Sequence, residues 1–403
     1  MKLHSGLPYW YIKNQLNPHS SSLPNHIETP VAIIGSGITG ALVAHVLCAA
    51  GIHCMIIDKR APATGSTAAS TSQLQYEIDI PLYQLAKKVG EANAAAAYKA
   101  SLRSIADLED LVKEANIGSD FQYVPSLYLA SNKAGLTAIK REYDMRIQHQ
   151  LPVTFLTATQ LQEQFGIDKL GALYNEASAQ MDCYQTANAL LKLNIDKKLL
   201  QLFPYTDIVE YTKQPNGYLL TTHEGKTIQC EHLVIAAGFE AGLFLPEKVM
   251  QLTSTYAMVS KPIDAGYIWP KRCLIWETKV PYFYARTTAD NRVMIGGEDI
   301  PYKNERLRDA LLDRKSVKLV QAIHKLFPDL PFEPDMSWCG TFSTTPDGLP
   351  YIGCYPGKER MYFALGYGGN GITFSMIAAQ VICNLIQGIP DERATLFGFT
   401  RDE

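Results

Sequence analysis

Val31-Ala-Ile-Ile34, Gly35-Ser-Gly37-Ile-Thr-Gly40 and Ala41-Leu-Val-Ala44 form one continuous stretch: an apolar run, a glycine turn and a helix-forming segment. Four apolar residues in a row mark a strand buried on both faces, as in a parallel sheet. The glycines have separate tasks. Gly35 permits a tight turn, Gly37 lets the backbone approach a pyrophosphate, and Gly40 lets helix and strand pack closely. The helix that follows presents unpaired N–H groups and its positive dipole end to an anion. Gly35, Ser36, Gly37, Ile38, Thr39 and Gly40 are therefore candidate phosphate-binding positions. A second apolar strand, Cys54-Met-Ile-Ile-Asp58, completes a βαβ unit. Its Asp58 lies 58 − 37 = 21 residues beyond Gly37, where a carboxylate can bind ribose hydroxyls. The motif implies a dinucleotide and does not itself separate FAD from NAD.

Working outward, residues 16–30 are turn-rich and read as an extended lead-in. Residues 83–117 and 133–150 carry helical spacing, with strand-like alternation over Tyr123–Ala130 between them. Helical 183–203 leads to strand-like 205–211 and a hairpin around Pro215-Asn216-Gly217. His232–Ala237 is another buried strand, short Tyr- and Trp-rich strands fill 250–300, and a charged helix covers 304–326. Strand-like 338–344 and 361–365 precede a glycine turn and a last helix over 371–387. Sections rich in strands alternate with sections rich in helix, as expected for two domains interleaved along the chain.

The bulk properties remove other function classes. Net charge is 37 − 40 = −3 with no basic stripe, so a nucleic-acid partner has no electrostatic footprint. The 8 cysteines include no CxxC and the histidines no paired spacing, so no metal is expected. The apolar stretches 40–57 and 372–387 are interrupted by polar residues, and residues 1–29 lack a signal-peptide core. A cytoplasmic protein with no membrane span is expected; the oligomeric state is left open.

Later segments resemble, in order, the D-amino-acid-oxidase-like family of FAD enzymes, which includes glycine, sarcosine and γ-glutamylputrescine oxidases. Gly65-Ser66-Thr67-Ala68-Ala69-Ser70 looks like that family's small-residue loop, and Leu233-Val-Ile-Ala-Ala237-Gly238 like the strand that closes its FAD-binding sheet. Tyr284-Ala-Arg286, Asp290-Asn-Arg292 and Gly296-Gly297 resemble the floor of its substrate domain. Gly340-Thr-Phe342, Thr345-Pro-Asp347-Gly348-Leu-Pro350 and Gly366-Tyr-Gly368-Gly369-Asn370-Gly371-Ile372 match its C-terminal signature. The resemblance implies an α/β fold: a Rossmann-type FAD-binding domain of the glutathione-reductase-like class with an interleaved antiparallel-sheet substrate domain. The FAD domain would comprise 28–82, 182–247 and 336–403, the substrate domain 83–181 and 248–335, after a lead-in over 1–27. It also implies non-covalent FAD with further contacts at Lys59, Ser66, Thr67, Val209, Ala237, Gly238, Gly340, Gly366 and 368–372. The expected activity is removal of a hydride from the carbon beside an amine nitrogen of a small-molecule substrate.

Departures from the family pattern concern the substrate. Phe342 stands where glycine-oxidase-like members hold the substrate carboxylate with arginine, and Gln75 where sarcosine-oxidase-like members take one from the loop. Met294 lies near the position of an oxygen-promoting lysine. Cys339 is one residue off a tethering position and equally reads as a small buried side chain. Glu77 is either a partner or base for an amine or a solvated carboxylate; Arg286 is either an anion binder or a salt-bridge residue. Tyr256, Trp276, Tyr282, Tyr284 and Tyr367 form either an aromatic wall or ordinary core. Gln75, Glu77, Tyr284, Arg286 and Phe342 are thus the substrate-side candidates. Two rival functions share these residues: a flavin monooxygenase or NAD(P)H-linked reductase, and an FAD-holding protein without turnover.

Overall fold

The computed structural model describes residues 2–14 and 21–401; residues 15–20, within the expected lead-in, lie outside them. Strands His26–Ile34 and Cys54–Ile57 run parallel, Val31 opposite Cys54 and Ile34 opposite Ile57. Leu200–Phe203 continues the sheet on one side and Thr227–Ile235, then Met361–Leu365, on the other, all parallel. Antiparallel strands Ile208–Gln214, Gly217–Thr222 and Tyr351–Cys354 complete eight strands. The uninterrupted apolar runs have a direct cause in this arrangement. Val31 and Ile33 face a core shared with helices Ile38–Ala49, Cys183–Asp196 and Gly371–Ile386, whereas Ala32, Met55 and Ile57 face a second core on the opposite side. Both faces are covered, so every position is apolar.

The nine-stranded second sheet has the order His4–Gly6, Pro334–Thr344, Gln251–Ser260, Val293–Pro301, Phe283–Thr287, Leu274–Glu277, Ser126–Leu129, Gly171–Asn175, Thr154–Thr157. It is antiparallel except between Leu274–Glu277 and Ser126–Leu129. Helix Leu312–Leu326 buries Leu319, Ile323 and Leu326 against one face. A small sheet of Gln73–Leu74, Ala179–Gln180 and Gln122–Tyr123 lies at the junction.

Three expectations are revised. The helix begun at Cys183 ends at Asp196, and Leu200–Phe203 is a strand, because pairing with Cys54–Ile57 buries Leu200 and Leu202. Short apolar runs carry no periodicity to separate the two outcomes. Residues 26–30 of the lead-in belong to the first parallel strand. The N-terminal segment is built structure: His4–Gly6 pairs with Trp338–Gly340, and helix Tyr9–Asn14 buries Tyr9 and Trp10.

Candidate active site

The glycine turn meets the sheet as its spacing requires. Gly35 has φ +112°, and a Cβ there would lie 2.4 Å from the Ala236 carbonyl oxygen; a Cβ on Gly40 would lie 1.9 Å from that of Gly35. Neither position accepts a side chain. Helix Ile38–Ala49 starts at Gly37 with no side-chain cap, and its Ile38 N–H donates to Thr67 Oγ1 at 2.9 Å. Asp58 accepts from the Ser36 N–H at 2.8 Å and hydroxyl at 2.7 Å, locking the turn to the end of the second strand.

A second helix N-terminus converges on the first. Gly371–Ile386 follows Asn370, also with no side-chain cap, and Thr39 Oγ1 lies 2.7 Å from Ser375 Oγ between the two helices. The N–H groups of the preceding turn are already used: Gly368 donates to the Ser343 carbonyl, Gly369 to Asp79 Oδ2 at 2.6 Å, and Asn370 to the Tyr367 carbonyl. Helix geometry leaves the first-turn N–H groups unused within the helix. Gly371 and Ile372 line the cavity, and nothing lies within 4 Å of a Cβ built on Gly371.

One cavity connects these parts. It runs from Gly37, Ile38 and Thr39 past the loop 65–73, with Ala237, Gly238 and Gly340 in its wall, to Trp276, Tyr282 and Tyr284. Gln73, Gln75, Glu77 and Asp79 line it, while the alternate residues Leu74, Tyr76 and Ile78 are buried in the core. Asn370 Nδ2 ties this edge to the glycine turn through the Gln75 and Glu77 carbonyls, at 3.1 and 2.8 Å. Gln75 Nε2 and Trp276 Nε1 both donate to Ser126 Oγ at 3.2 Å. Glu77 is 3% exposed. Its Oε1 accepts from Asn175 and from Arg146 at 3.3 Å, while Oε2 has no partner. Burial raises its pKa above the ordinary value, opposed by Arg146.

A family model described as FAD dependent oxidoreductase matches residues 30–385. The chain belongs to this family of FAD-dependent oxidoreductases. Glycine oxidase of Geobacillus kaustophilus is 26% identical over 384 residues, covering 89% of this chain and 92% of the relative. Gamma-glutamylputrescine oxidoreductase of Escherichia coli is 22% identical, covering 96% of this chain and 90% of the relative. The structure of L-proline dehydrogenase from P. horikoshii superposes with TM-score 0.77 at 19% identity, over 94% of this chain and 100% of that one. The Rossmann-type fold with an interleaved antiparallel sheet is thus that of the family.

This FAD-dependent oxidoreductase holds its cofactor non-covalently, and its residues fit FAD. Two helix ends that receive no side-chain cap from their own N-cap residue face one cavity; at Gly37 the Thr67 hydroxyl is the one group a Cβ would meet, and nothing stands at Gly371. The first end would hold the pyrophosphate. The second, with the loop 65–73, would hold the flavin and offer N–H groups to negative charge that develops on it.

Of the sequence-derived cofactor positions, Gly37, Ile38, Thr39, Ser66, Thr67, Ala237, Gly238, Gly340, Gly368, Gly369, Asn370, Gly371 and Ile372 line the cavity. Gly35, Ser36, Gly40, Asp58 and Gly366 shape the turns behind it. Lys59 pairs with Glu240 at 2.8 Å, and Val209 is an exposed residue of the outer hairpin; neither lines the cavity. On the substrate side, Gln75, Glu77, Tyr284 and Phe342 line it, with Trp276, Tyr282 and Tyr367. Tyr256 does not: it is fully buried, donating to the Arg308 carbonyl at 3.3 Å. Met294 and Cys339 are core residues.

Arg286 is corrected most. It is 3% exposed, and its guanidinium donates to the carbonyls of Thr71 and Ser72 at 2.9 Å, Met181 at 3.2 Å and Thr287 at 3.1 Å. Its task is to clamp the loop 71–72 onto the sheet, and it does not line the cavity. Burial lowers its pKa to about 10, so it stays charged at neutral pH. Asp79 is the acidic cavity residue missed in the sequence. Its signal was there: it continues the alternation of Gln73, Gln75 and Glu77.

Proposed function

We propose that this enzyme oxidises amines whose reacting carbon bears no carboxylate. One observation carries this: among the described residues lining the cavity there is no lysine, arginine or histidine, while Glu77 and Asp79 are present. A small zwitterionic amino acid would bring an unpaired carboxylate into a closed site, at a cost of several kcal/mol. Phe342 occupies the strand position expected to carry the missing arginine, and Arg286 does not line the cavity, its Nη1 being bonded to the Thr71 and Ser72 carbonyls. Bound FAD supplies the two-electron acceptor: a hydride leaves the carbon, the nitrogen lone pair closes a C=N bond, and water hydrolyses the resulting imine.

The chain's part is to present a neutral amine. Glu77 lines the cavity, and its Oε2, buried and unpartnered, belongs to a carboxylate made more basic by burial. We assign this carboxylate to take the ammonium proton, with Arg146 and Asn175 holding its other oxygen in place. The stacked pair Tyr128–Trp276, with centroids 3.7 Å apart, makes a rigid apolar wall for the alkyl part.

Anaerobic mixing of the holoenzyme with amines and amino acids tests this. Amines without an α-carboxylate should bleach the flavin band, and glycine, sarcosine and D-alanine should do so poorly. Efficient reduction by glycine would show that another group supplies the cation. Reduction by NADPH and by no amine would place the enzyme in a different reaction class.

A further inference from the structure

Past Glu77, the wall of the cavity continues in acid and aromatic side chains. Asp79 is open to the cavity, and its carboxylate is set by the Gly369 N–H on Oδ2 at 2.6 Å. A Cβ built on Gly369 would meet Asp79 Oδ1 at 2.7 Å and Tyr282 Oη at 3.3 Å, so carboxylate and phenol converge on one spot. Behind this wall, Asp299 has a fully buried Oδ1 with no partner. Its carboxyl lies beside Thr255, a cavity residue, and within the field of Asp79. The rings of Tyr282 and Tyr284, centroids 5.8 Å apart, stand beside them. An open carboxylate at Asp79 and a second, at Asp299, with an unused buried oxygen, together with aromatic faces, are short of positive charge. Glu77 repeats the pattern with its own unpartnered oxygen.

We infer that Asp79, supported by Asp299, determines specificity by binding a second ammonium of the substrate, so that the enzyme acts on diamines or polyamines. This rests on the amine reading above. The reacting nitrogen then sits at Glu77 and the distal one at Asp79. Two residues of extended chain keep the Glu77 and Asp79 Cα atoms within about 7 Å of each other, and both side chains line the same cavity, as binding of one short aliphatic diamine requires. A distal cation would be paired with Asp79, flanked by Tyr282, and would offset the repulsion between Asp79 and Asp299. A distal carboxylate in the same place would face two acids.

Anaerobic flavin reduction and steady-state turnover of the holoenzyme with putrescine, n-butylamine and γ-aminobutyrate provide the test. kcat/KM for the diamine should exceed that for the monoamine by roughly 100-fold, the effect of one closely held charge pair, with γ-aminobutyrate poorest. Asp79→Asn keeps an oxygen for the Gly369 N–H, and it should remove most of that preference through KM. Asp299→Asn, which leaves the Gly369 N–H bond to Asp79 in place, should reduce the preference in the same direction by a smaller factor. Equal use of butylamine and putrescine by the natural enzyme would overturn the inference and leave the amine reading standing. Reduction by no amine would overturn both. A preference for putrescine that survives both substitutions would place the second cation elsewhere and sink the assignment to Asp79.

Discussion

A Cβ added at Gly37 would lie 3.0 Å from Thr67 Oγ1, the atom that accepts the Ile38 N–H, so the γ-carbons of valine would fill the approach to the helix end. The backbone there has φ −72°, which valine adopts without strain. Gly37→Val should therefore fold and lose FAD, seen as a colourless protein with native far-ultraviolet dichroism; flavin retained in a folded variant would displace the phosphate site from this turn. Asp299 gives a pH-dependent expectation. Its carboxyl is pushed up from an ordinary 3.8 to about 7, by burial first and also by Asp79. Between those values the folded chain keeps a proton that the unfolded chain has released, so stability falls as pH rises through the window. Asp299→Asn should flatten that slope in urea midpoints measured between about pH 4 and pH 7; an unchanged slope would mean that Asp299 ionises normally. At this scale the glycines and Asp58 were legible, because their tasks are local. Arg286 was not, since the carbonyls of Thr71, Ser72 and Met181 that occupy it are brought together only by the fold.

At the scale of elements, the informative object is the N-terminus of Gly371–Ile386. The sequence placed its glycines at the cofactor but could not say which N–H groups remained free. Gly369, the natural first choice, donates to Asp79, and Gly368 and Asn370 donate to backbone carbonyls. The free donors start at Gly371, the first helical residue, where proline is tolerated because no intrahelical bond is lost. Gly371→Pro therefore removes one donor without breaking an intrahelical bond, while Asn370, at ψ 32°, must turn toward the extended backbone that precedes a proline. A donor aimed at developing negative charge is worth about 3 kcal/mol, equivalent to about 60 mV for a two-electron couple. The flavin potential, measured by equilibration with a reference dye, should fall by up to that amount. No change in a folded variant would show that the Gly371 N–H does not face the reduced cofactor. The strand Leu200–Phe203 illustrates the other limit of sequence at this scale: Leu-Gln-Leu-Phe fits a helix end or a strand equally, and only parallel pairing with Cys54–Ile57 decides.

For the whole molecule, the segment before the family-matched region poses the question of how the two sheets are held across the cofactor. The family model begins at residue 30, yet residues 2–14 touch both sides of the cavity. His4–Gly6 extends the nine-stranded sheet, Leu3 lines the cavity, and the Lys2 and Leu3 carbonyls accept from the buried Arg308 at 3.0 and 3.1 Å. Trp10 Nε1 donates to the Ser70 carbonyl at 2.7 Å, and Tyr11 Oη to that of Thr64 at 3.0 Å, pinning the loop that lines the FAD site. Lys13 pairs with the fully buried Asp182 at 2.7 Å. A strap so fastened limits the opening between loop 64–70 and strand Pro334–Thr344, which costs entropy once, on folding, instead of at each binding event. Removing residues 1–14 would leave Arg308 short of acceptors and Asp182 without its lysine, besides exposing the surface beneath Trp10. The truncated protein should bind FAD at least roughly 10-fold more weakly, as expected from about 1.4 kcal/mol of lost preorganisation, and release it faster on dilution. Trp10→Ala isolates the central contact; it should cost about 3 kcal/mol or more in stability and weaken FAD in the same direction. Both can be read from flavin fluorescence on titrating the apoprotein, with thermal melts recorded with and without FAD. A truncated chain that binds FAD as tightly as the full chain would confine the strap to a role in folding. A stability loss identical with and without cofactor would lead to the same conclusion, because a segment coupled to the site must lose more of the stabilisation that the ligand confers.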